Sequence, residues 1–345
     1  MRTISRRRAL GAAVSLATAA TLPRFAAAQT PEKKKVTIAV GGKNLLYYLP
    51  LTIAEQLKYF EAEGLEVEIV DFAGGAKALQ AVVGGSADVV SGAFEHTLNM
   101  QAKGQPMRAF VLQGRAPQIV LAVSTKTLPN FKSVADLKGK KIGVTAPGSS
   151  TNIMANFVLA KAGLKPTDVS YIGVGAASGA VAALRAGQID AISNLDPVIT
   201  ILARSGDIKI VSDTRDPVES ERVFGGPMPA ACLYAPVAFL EKNPNTAQAL
   251  VNAIVRANKW IQQAGPSDII KAVPESYLLG DRAIYIDAFL KAKAALSPDG
   301  LFPEAGSATA YRALASVDDS IAKAKLDLKA NYTNDFVRKA LAKYR

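Results

Sequence analysis

Ala146-Pro147-Gly148-Ser149-Ser150-Thr151 is the stretch of this chain whose residue types are best arranged to hold a ligand. It lies between an apolar strand and a helical segment, so hydroxyls and free backbone N–H groups gather at a helix start, which attracts an anion. Another helix start, at Ser133, has Asp136 three places on and satisfies itself as a capping box does. After Ser149 that place is Asn152, and no acid occurs before Asp168, which leaves the positive end of the helix for an outside anion. An ordinary Ser N-cap is the alternative reading of the same residues.

Four further groups are candidates. Gly74 and Gly75 open another helix without an acid in its first turn, and glycine there permits close backbone approach, while Lys77 reads as a solvated charge. Glu95 and His96 follow an apolar strand and either face a ligand, with Phe94 as an apolar wall, or serve the first turn of a helix. Asn194 and Asp196 occupy the comparable place later in the chain, where Asp before Pro197 also suits an N-cap with a first-position proline. An Asp196 that reaches the ligand would suit an amine or exclude over-charged anions. Asn44, Tyr47 and Tyr48 bring an amide and two phenols to a strand-to-helix loop, with packing as the competing role for the tyrosines.

Catalytic chemistry is thinly supplied. His96 is the only histidine and Cys232 the only cysteine, so a Cys/His metal site cannot be assembled, no internal disulfide can form, and a histidine-based triad would depend on one residue. No catalytic residue, metal or cofactor is assigned, and the chain is expected not to be an enzyme.

The elements that must position these residues form a repeat. Val36–Val40, a helix over 51–60 ending at Gly64, Val67–Val70, a helix over 76–83 and Ala87–Ser91 read as strand-helix-strand-helix-strand, the pattern of a parallel sheet. The same order returns as Lys141–Thr145, 152–162, Val169–Ile172, 178–186 and Ile189–Ser193. Gly85, Asp88 and Ser91 match Gly187, Asp190 and Ser193, each 102 positions on. Two similar α/β lobes follow, with a ligand cleft between the loops at the carboxyl ends of their strands. The chain is expected to cross to lobe 2 near Val123–Thr125 and to return near Pro229–Ala231, which makes lobe 1 residues 29–123 and 231–345 and lobe 2 residues 124–230. The remainder is mostly helical, with apolar spacing over 247–264 and 284–296, and is expected to pack on lobe 1 with Trp260 in the core.

Residues 1–28 read as a twin-arginine-type signal peptide. Arg6-Arg7-Arg8 precede an apolar stretch to Leu22, and Ala26-Ala27-Ala28 offers a cleavage site near Ala28. No cysteine sits there for a lipid anchor, so a soluble periplasmic protein is expected. Removing the five arginines of that segment lowers the formal net charge from +12 to +7, a modest excess spread along the chain. That favours a small anionic ligand and not nucleic acid.

Ala54-Glu55, Tyr59-Phe60 and Glu63-Gly64-Leu65, with Phe72-Ala-Gly-Gly-Ala-Lys-Ala-Leu79 and Asp136-Leu-Lys-Gly-Lys-Lys-Ile-Gly-Val144, make the chain resemble the substrate-binding proteins of ABC importers of the nitrate, sulfonate and taurine group. Proteins labelled thiamine-precursor-like belong to that group. The resemblance implies a type II periplasmic binding fold that captures a small anion or organic acid and delivers it to a membrane permease and ATPase, as a monomer. Carried onto this chain, it places ligand contacts at Asn44, Tyr47, Tyr48, Gly74, Gly75, Glu95, His96, Ser149, Ser150, Thr151, Asn194 and Asp196. Family members often have Glu where Asp196 stands, and the cysteine-rich iron motif of the fungal pyrimidine-synthesis branch is missing. The alternatives are an enzyme on the same fold, similar to menaquinone-pathway proteins, and a periplasmic sensor subunit.

Overall fold

The computed structural model describes residues 30–344. The expected signal peptide lies outside them. Ten strands follow in chain order: β1 (Lys35–Gly41), β2 (Glu66–Phe72), β3 (Val89–Ala93), β4 (Met107–Leu112), β5 (Val120–Ser124), β6 (Lys141–Val144), β7 (Ser170–Gly173), β8 (Ala191–Asn194), β9 (Ile208–Asp213) and β10 (Ala231–Pro236). They form two five-stranded sheets, ordered β2-β1-β3-β10-β4 and β7-β6-β8-β5-β9. Each position in one sheet has its counterpart in the other. β3 and β5 are buried at every residue, as central strands covered on both faces must be. β2, at an edge, alternates Glu66 and Glu68 with half-buried Val67 and Ile69.

The repeat seen in the sequence is a structural device. Gly85 and Gly187 both take the left-handed conformation, at φ 77° and 76°, that ends a helix before the third strand. Asp88 then accepts the Thr37 N–H at 3.0 Å, and Asp190 accepts the Lys141 N–H at 3.0 Å. Each aspartate thereby ties the start of its lobe's first strand to the third.

Two expectations shift. The sheets are mixed, because β10 runs antiparallel to β3 and β4, and β5 antiparallel to β8 and β9. These two strands are the ones that carry the chain between lobes, so each enters its sheet from the opposite direction. For the same reason β5 already belongs to lobe 2, and the crossing precedes Val120 instead of falling near Val123. The two crossing segments are bonded side by side: the Ile119 N–H donates to Thr214 Oγ1 at 3.0 Å, and that hydroxyl donates to the Ile119 carbonyl at 2.8 Å.

The Pro244–Gln263 helix packs on lobe 1 through buried Leu250, Ile254 and Ile261, and Trp260 is partly buried against the same core. The helices Arg282–Ala292 and Gly306–Ala315 do more than cover lobe 1. The first touches the Val198–Arg204 helix and the second the Ser150–Lys161 helix, both of lobe 2. The core is therefore unequal: one large cluster runs through lobe 1 onto one face of the lobe-2 sheet, and a small one covers that sheet's other face.

Candidate functional site

The strand-to-helix loops of both lobes meet at the cleft. Three hydrogen bonds cross it: Leu46 N–H to the Asp196 carbonyl at 3.2 Å, Asn44 Nδ2 to the Ala176 carbonyl at 3.2 Å, and Ala76 N–H to Ser149 Oγ at 3.0 Å. A Cβ on Gly74 would stand 2.8 Å from Ala146 Cβ and 3.0 Å from Ser149 Oγ. Gly74 thus serves lobe-to-lobe approach in this closed arrangement.

Between the lobes and the Gly306–Ala315 helix lies a narrow pocket of about 20 Å³, room for about one water molecule with the lobes closed. Its wall is mostly apolar: Ile153, Met154 and Phe157 from lobe 2, Phe224 and Met228 from the returning segment, Leu314 from the C-terminal helices. Phe157 and Phe224 stack with ring centroids 4.9 Å apart. Polar groups come only from Tyr47, Glu95 and Ser150.

Glu95 begins the Glu95–Ala102 helix, is 5% exposed, and has no hydrogen bond or ion pair to another side chain among the described residues. Burial pushes its carboxyl up to about 7, opposed only by its own backbone N–H. His96 is not on the pocket wall: its ring lies beside Gly75 and the Gly148 carbonyl, with Nδ1 3.0 Å from the Tyr234 hydroxyl. Burial lowers it to about 4, the Gly148 carbonyl opposing, so it is neutral at pH 7. Tyr47, Tyr48, Tyr234 and the Cys232 thiol are all raised, chiefly by burial, and are neutral as well.

The remaining candidates hold the cleft together. Ser149 closes the lobe-1 helix start that Gly75 opens, so the two helix ends expected to await an anion face each other, and a hydroxyl from one satisfies the other. Gly148 N–H donates to Asn152 Oδ1 at 3.0 Å, a local cap. Thr151 is fully buried and its hydroxyl accepts the Thr145 N–H. Asn194 bonds the Gly175 carbonyl and the Leu195 N–H. Asp196 accepts the Thr200 N–H at 2.8 Å and pairs with Arg215 at 3.2 Å, and Arg215 also grips Asp213. Burial raises the Asp196 carboxyl, with Arg215 opposing. Tyr48 is buried beside Gly75. The pocket thus gathers Tyr47, Glu95 and Ser150, and leaves Asn44, Tyr48, Gly74, Gly75, His96, Ser149, Thr151, Asn194 and Asp196 off its wall.

The apolar wall was not read from the sequence, although part of its signal was there. Ser150, Ile153, Met154 and Phe157 stand at i, i+3, i+4 and i+7, one face of the helix whose start was already placed at the cleft. Phe224, Met228 and Leu314 reach the pocket only through tertiary packing.

Two lobes of one topology, crossed twice and closed over a pocket, define a type II periplasmic-binding-protein fold. The chain belongs to the NMT1-like family, whose model matches residues 29–273. A solved structure from Bordetella bronchiseptica is similar to it at 64% identity and a TM-score of 0.90, covering 92% of this chain and 99% of that one. The periplasmic nitrate-binding protein NrtA from Synechocystis shares the fold, with a TM-score of 0.68 at 18% identity over 91% of this chain and 90% of that one. A 4-amino-5-hydroxymethyl-2-methylpyrimidine phosphate synthase from Schizosaccharomyces pombe is 29% identical over 142 residues, 41% of this chain and 40% of that protein.

Proposed function

We propose that this chain is the solute-binding component of an ABC-type importer, working in the periplasm, where it captures a small organic solute and passes it unchanged to a membrane permease and ATPase. The observation that carries the reading is the pocket itself: walls from both lobes and the C-terminal helices, and cross-cleft bonds that form only when the lobes close. The membership in the NMT1-like family and the fold shared with a periplasmic nitrate-binding protein support it. An apolar wall rewards an organic body at about 0.8 kcal/mol per buried methylene.

The similarity to a pyrimidine phosphate synthase and the near-neutral carboxyl of Glu95 favour a second reading, an enzyme with Glu95 as acid-base group. Against it, Glu95 is the only group on the described pocket wall with a carboxyl poised near neutrality, and His96 is turned to Tyr234. The two readings separate on purified protein. A bound solute recovered chemically intact, with a raised melting temperature and a smaller radius of gyration in solution scattering, is the expected result. Conversion of the solute to product would overturn the importer reading.

A further inference from the structure

The two lobes treat the strand ends away from the cleft differently. At that base of lobe 1, Lys35 opens β1 opposite Glu66 of β2 and pairs with it at 3.4 Å, and Lys33 pairs with Asp88 at 2.5 Å. At the same place in lobe 2, Lys141 opens β6 opposite Ser170 of β7, and β7 carries no acid. The fold gathers five more lysines around Lys141. Lys132, Lys138 and Lys140 flank the Val134–Leu137 turn, Lys165 precedes the Pro166–Asp168 turn, and Lys126 follows β5. The Gly139 N–H donates to the Asp168 carbonyl at 2.7 Å and the Ser170 N–H to the Lys140 carbonyl at 2.9 Å, which locks the two turns side by side. Five of the six lysines are exposed, Lys140 is half-buried, and none has an ion-pair partner among the described residues. Lys126 donates to the Arg185 carbonyl at 2.8 Å and keeps its charge. The acids nearby face the backbone: Asp136 accepts the Lys132 and Ser133 N–H groups, Asp168 the Lys165 N–H, and Asp190 the Lys141 N–H. The six ammonium groups outnumber these three carboxylates two to one.

We propose that the base of lobe 2 is a peripheral docking surface for an anionic lipid bilayer, held to the headgroup phosphates by Lys138, Lys140, Lys141 and the lysines around them. The residue types favour a lipid surface over an acidic protein. Protein interfaces are depleted in lysine and are anchored by buried aromatic or apolar side chains. Here the charge is all lysine, a hydrated point charge without the fork that arginine brings to a carboxylate. Between the lysines the exposed residues are small or polar, Ser133, Ala135, Gly139 and Thr167, and none of the exposed large apolar side chains falls within 125–141 or 161–170. Each lysine near an anionic bilayer favours the bound state about fivefold, so three uncompensated charges give about a hundredfold preference over a neutral surface at low salt. No helix among the described residues is long and apolar enough to cross a membrane, so the attachment is electrostatic and reversible. The surface lies at the opposite strand ends from the cleft, so the proposal is independent of the solute-binding reading, and docking leaves the cleft free for it.

The test is flotation of the chain lacking residues 1–28, which keeps every described residue, with vesicles of phosphatidylcholine alone or mixed equally with phosphatidylglycerol. At about 50 mM salt the protein is expected to float with the anionic vesicles and not with the neutral ones, and to lose about tenfold or more in partitioning at about 300 mM. The triple variant Lys138→Gln, Lys140→Gln, Lys141→Gln should lose about a hundredfold. A control triple, Lys34→Gln, Lys242→Gln, Lys271→Gln, removes the same charge from exposed lysines of lobe 1 that have no ion pair, and should lose less than about fivefold. Melting temperature reports whether each variant folds; if the first triple does not, Lys132→Gln with Lys165→Gln takes its place, with an expected loss of about twentyfold. Equal losses in the two triples would assign the attraction to net charge and overturn the proposal. So would equal binding to neutral vesicles, or no binding to anionic ones at low salt. Retention on immobilised poly-glutamate without flotation would make an acidic polypeptide the partner and overturn it as well.

Discussion

Each lobe buries one carboxyl just past its third strand, Glu95 after β3 and Asp196 after β8, one residue out of the 102-residue register of the repeat. Burial raises both. Beyond that they diverge. Asp196 caps the Thr200 N–H and is held by Arg215, a residue of the segment returning to lobe 1, whereas Glu95 has no such partner among the described residues and lies on the pocket wall. The same fold position holds a structural joint in one lobe and an unpartnered carboxyl on the pocket wall in the other. An arginine decides which, because a buried carboxylate is tolerable only when something answers its charge.

The sharpest way to break this comparison is to make the two acids alike. Arg215→Met strips Asp196 of its cation and should cost about 3–5 kcal/mol of unfolding free energy at pH 8, measured by denaturant titration. A loss below about 1 kcal/mol would show that the pair is not what holds the joint.

Glu95 should behave in the opposite sense. Its folded pKa of about 7 lies above the ordinary 4.5, so the acid is protonated in the fold over a range where the unfolded chain is ionised. Stability is therefore full below about pH 4.5 and declines as pH rises through 7, by about 3 kcal/mol in total. Glu95→Gln should remove that decline and be the more stable protein at pH 8, with the difference vanishing near pH 4.5. A Gln variant with the wild-type pH profile would place the titration elsewhere.

Closure gives a third test. Gly74→Ala puts a methyl group against Ala146 and Ser149 Oγ, so it should hold the lobes apart and weaken ligand binding about tenfold, while denaturant stability changes by less than about 1 kcal/mol. Solution scattering should show a larger radius of gyration with ligand than wild type shows. Equal radii would mean that the contact yields without opening the cleft.

The smallest expected effect concerns the repeat itself. Asp88→Asn and Asp190→Asn each leave a weaker acceptor for one strand N–H, and each should cost about 1 kcal/mol. Asp88 also meets Lys33 at 2.5 Å, with the lysine side chain 44% exposed, so a slightly larger cost in lobe 1 is consistent with equivalence. Costs differing by more than about 2 kcal/mol would show that the two lobes use this aspartate differently.

The two-lobed α/β plan was legible because strand and helix periods alternate cleanly and because Gly85, Asp88 and Ser91 are repeated where geometry demands them: a left-handed turn, a strand-start acceptor and a buried hydroxyl. The antiparallel direction of β5 and β10 was not legible, since an apolar run carries no mark of strand direction. Ser149 illustrates a subtler limit. Its helix start does lack an acid, yet the group that answers its hydroxyl is the Ala76 N–H, 73 residues away. Local accounting cannot see a partner that only lobe closure supplies.

What the sequence by itself determined is everything that depends on near neighbours: the elements, the doubled unit, and the short roster of polar residues at the strand ends from which a site could be built. Only the tertiary structure decided that Arg215 goes to Asp196 and leaves Glu95 open, and that Phe157, Phe224, Met228 and Leu314 converge on one pocket. The physical reason is that burial and charge pairing are properties of place. Asp196 and Glu95 start from similar intrinsic acidities, 3.8 and 4.5, and it is the packing around each that gives one an arginine and leaves the other on the pocket wall.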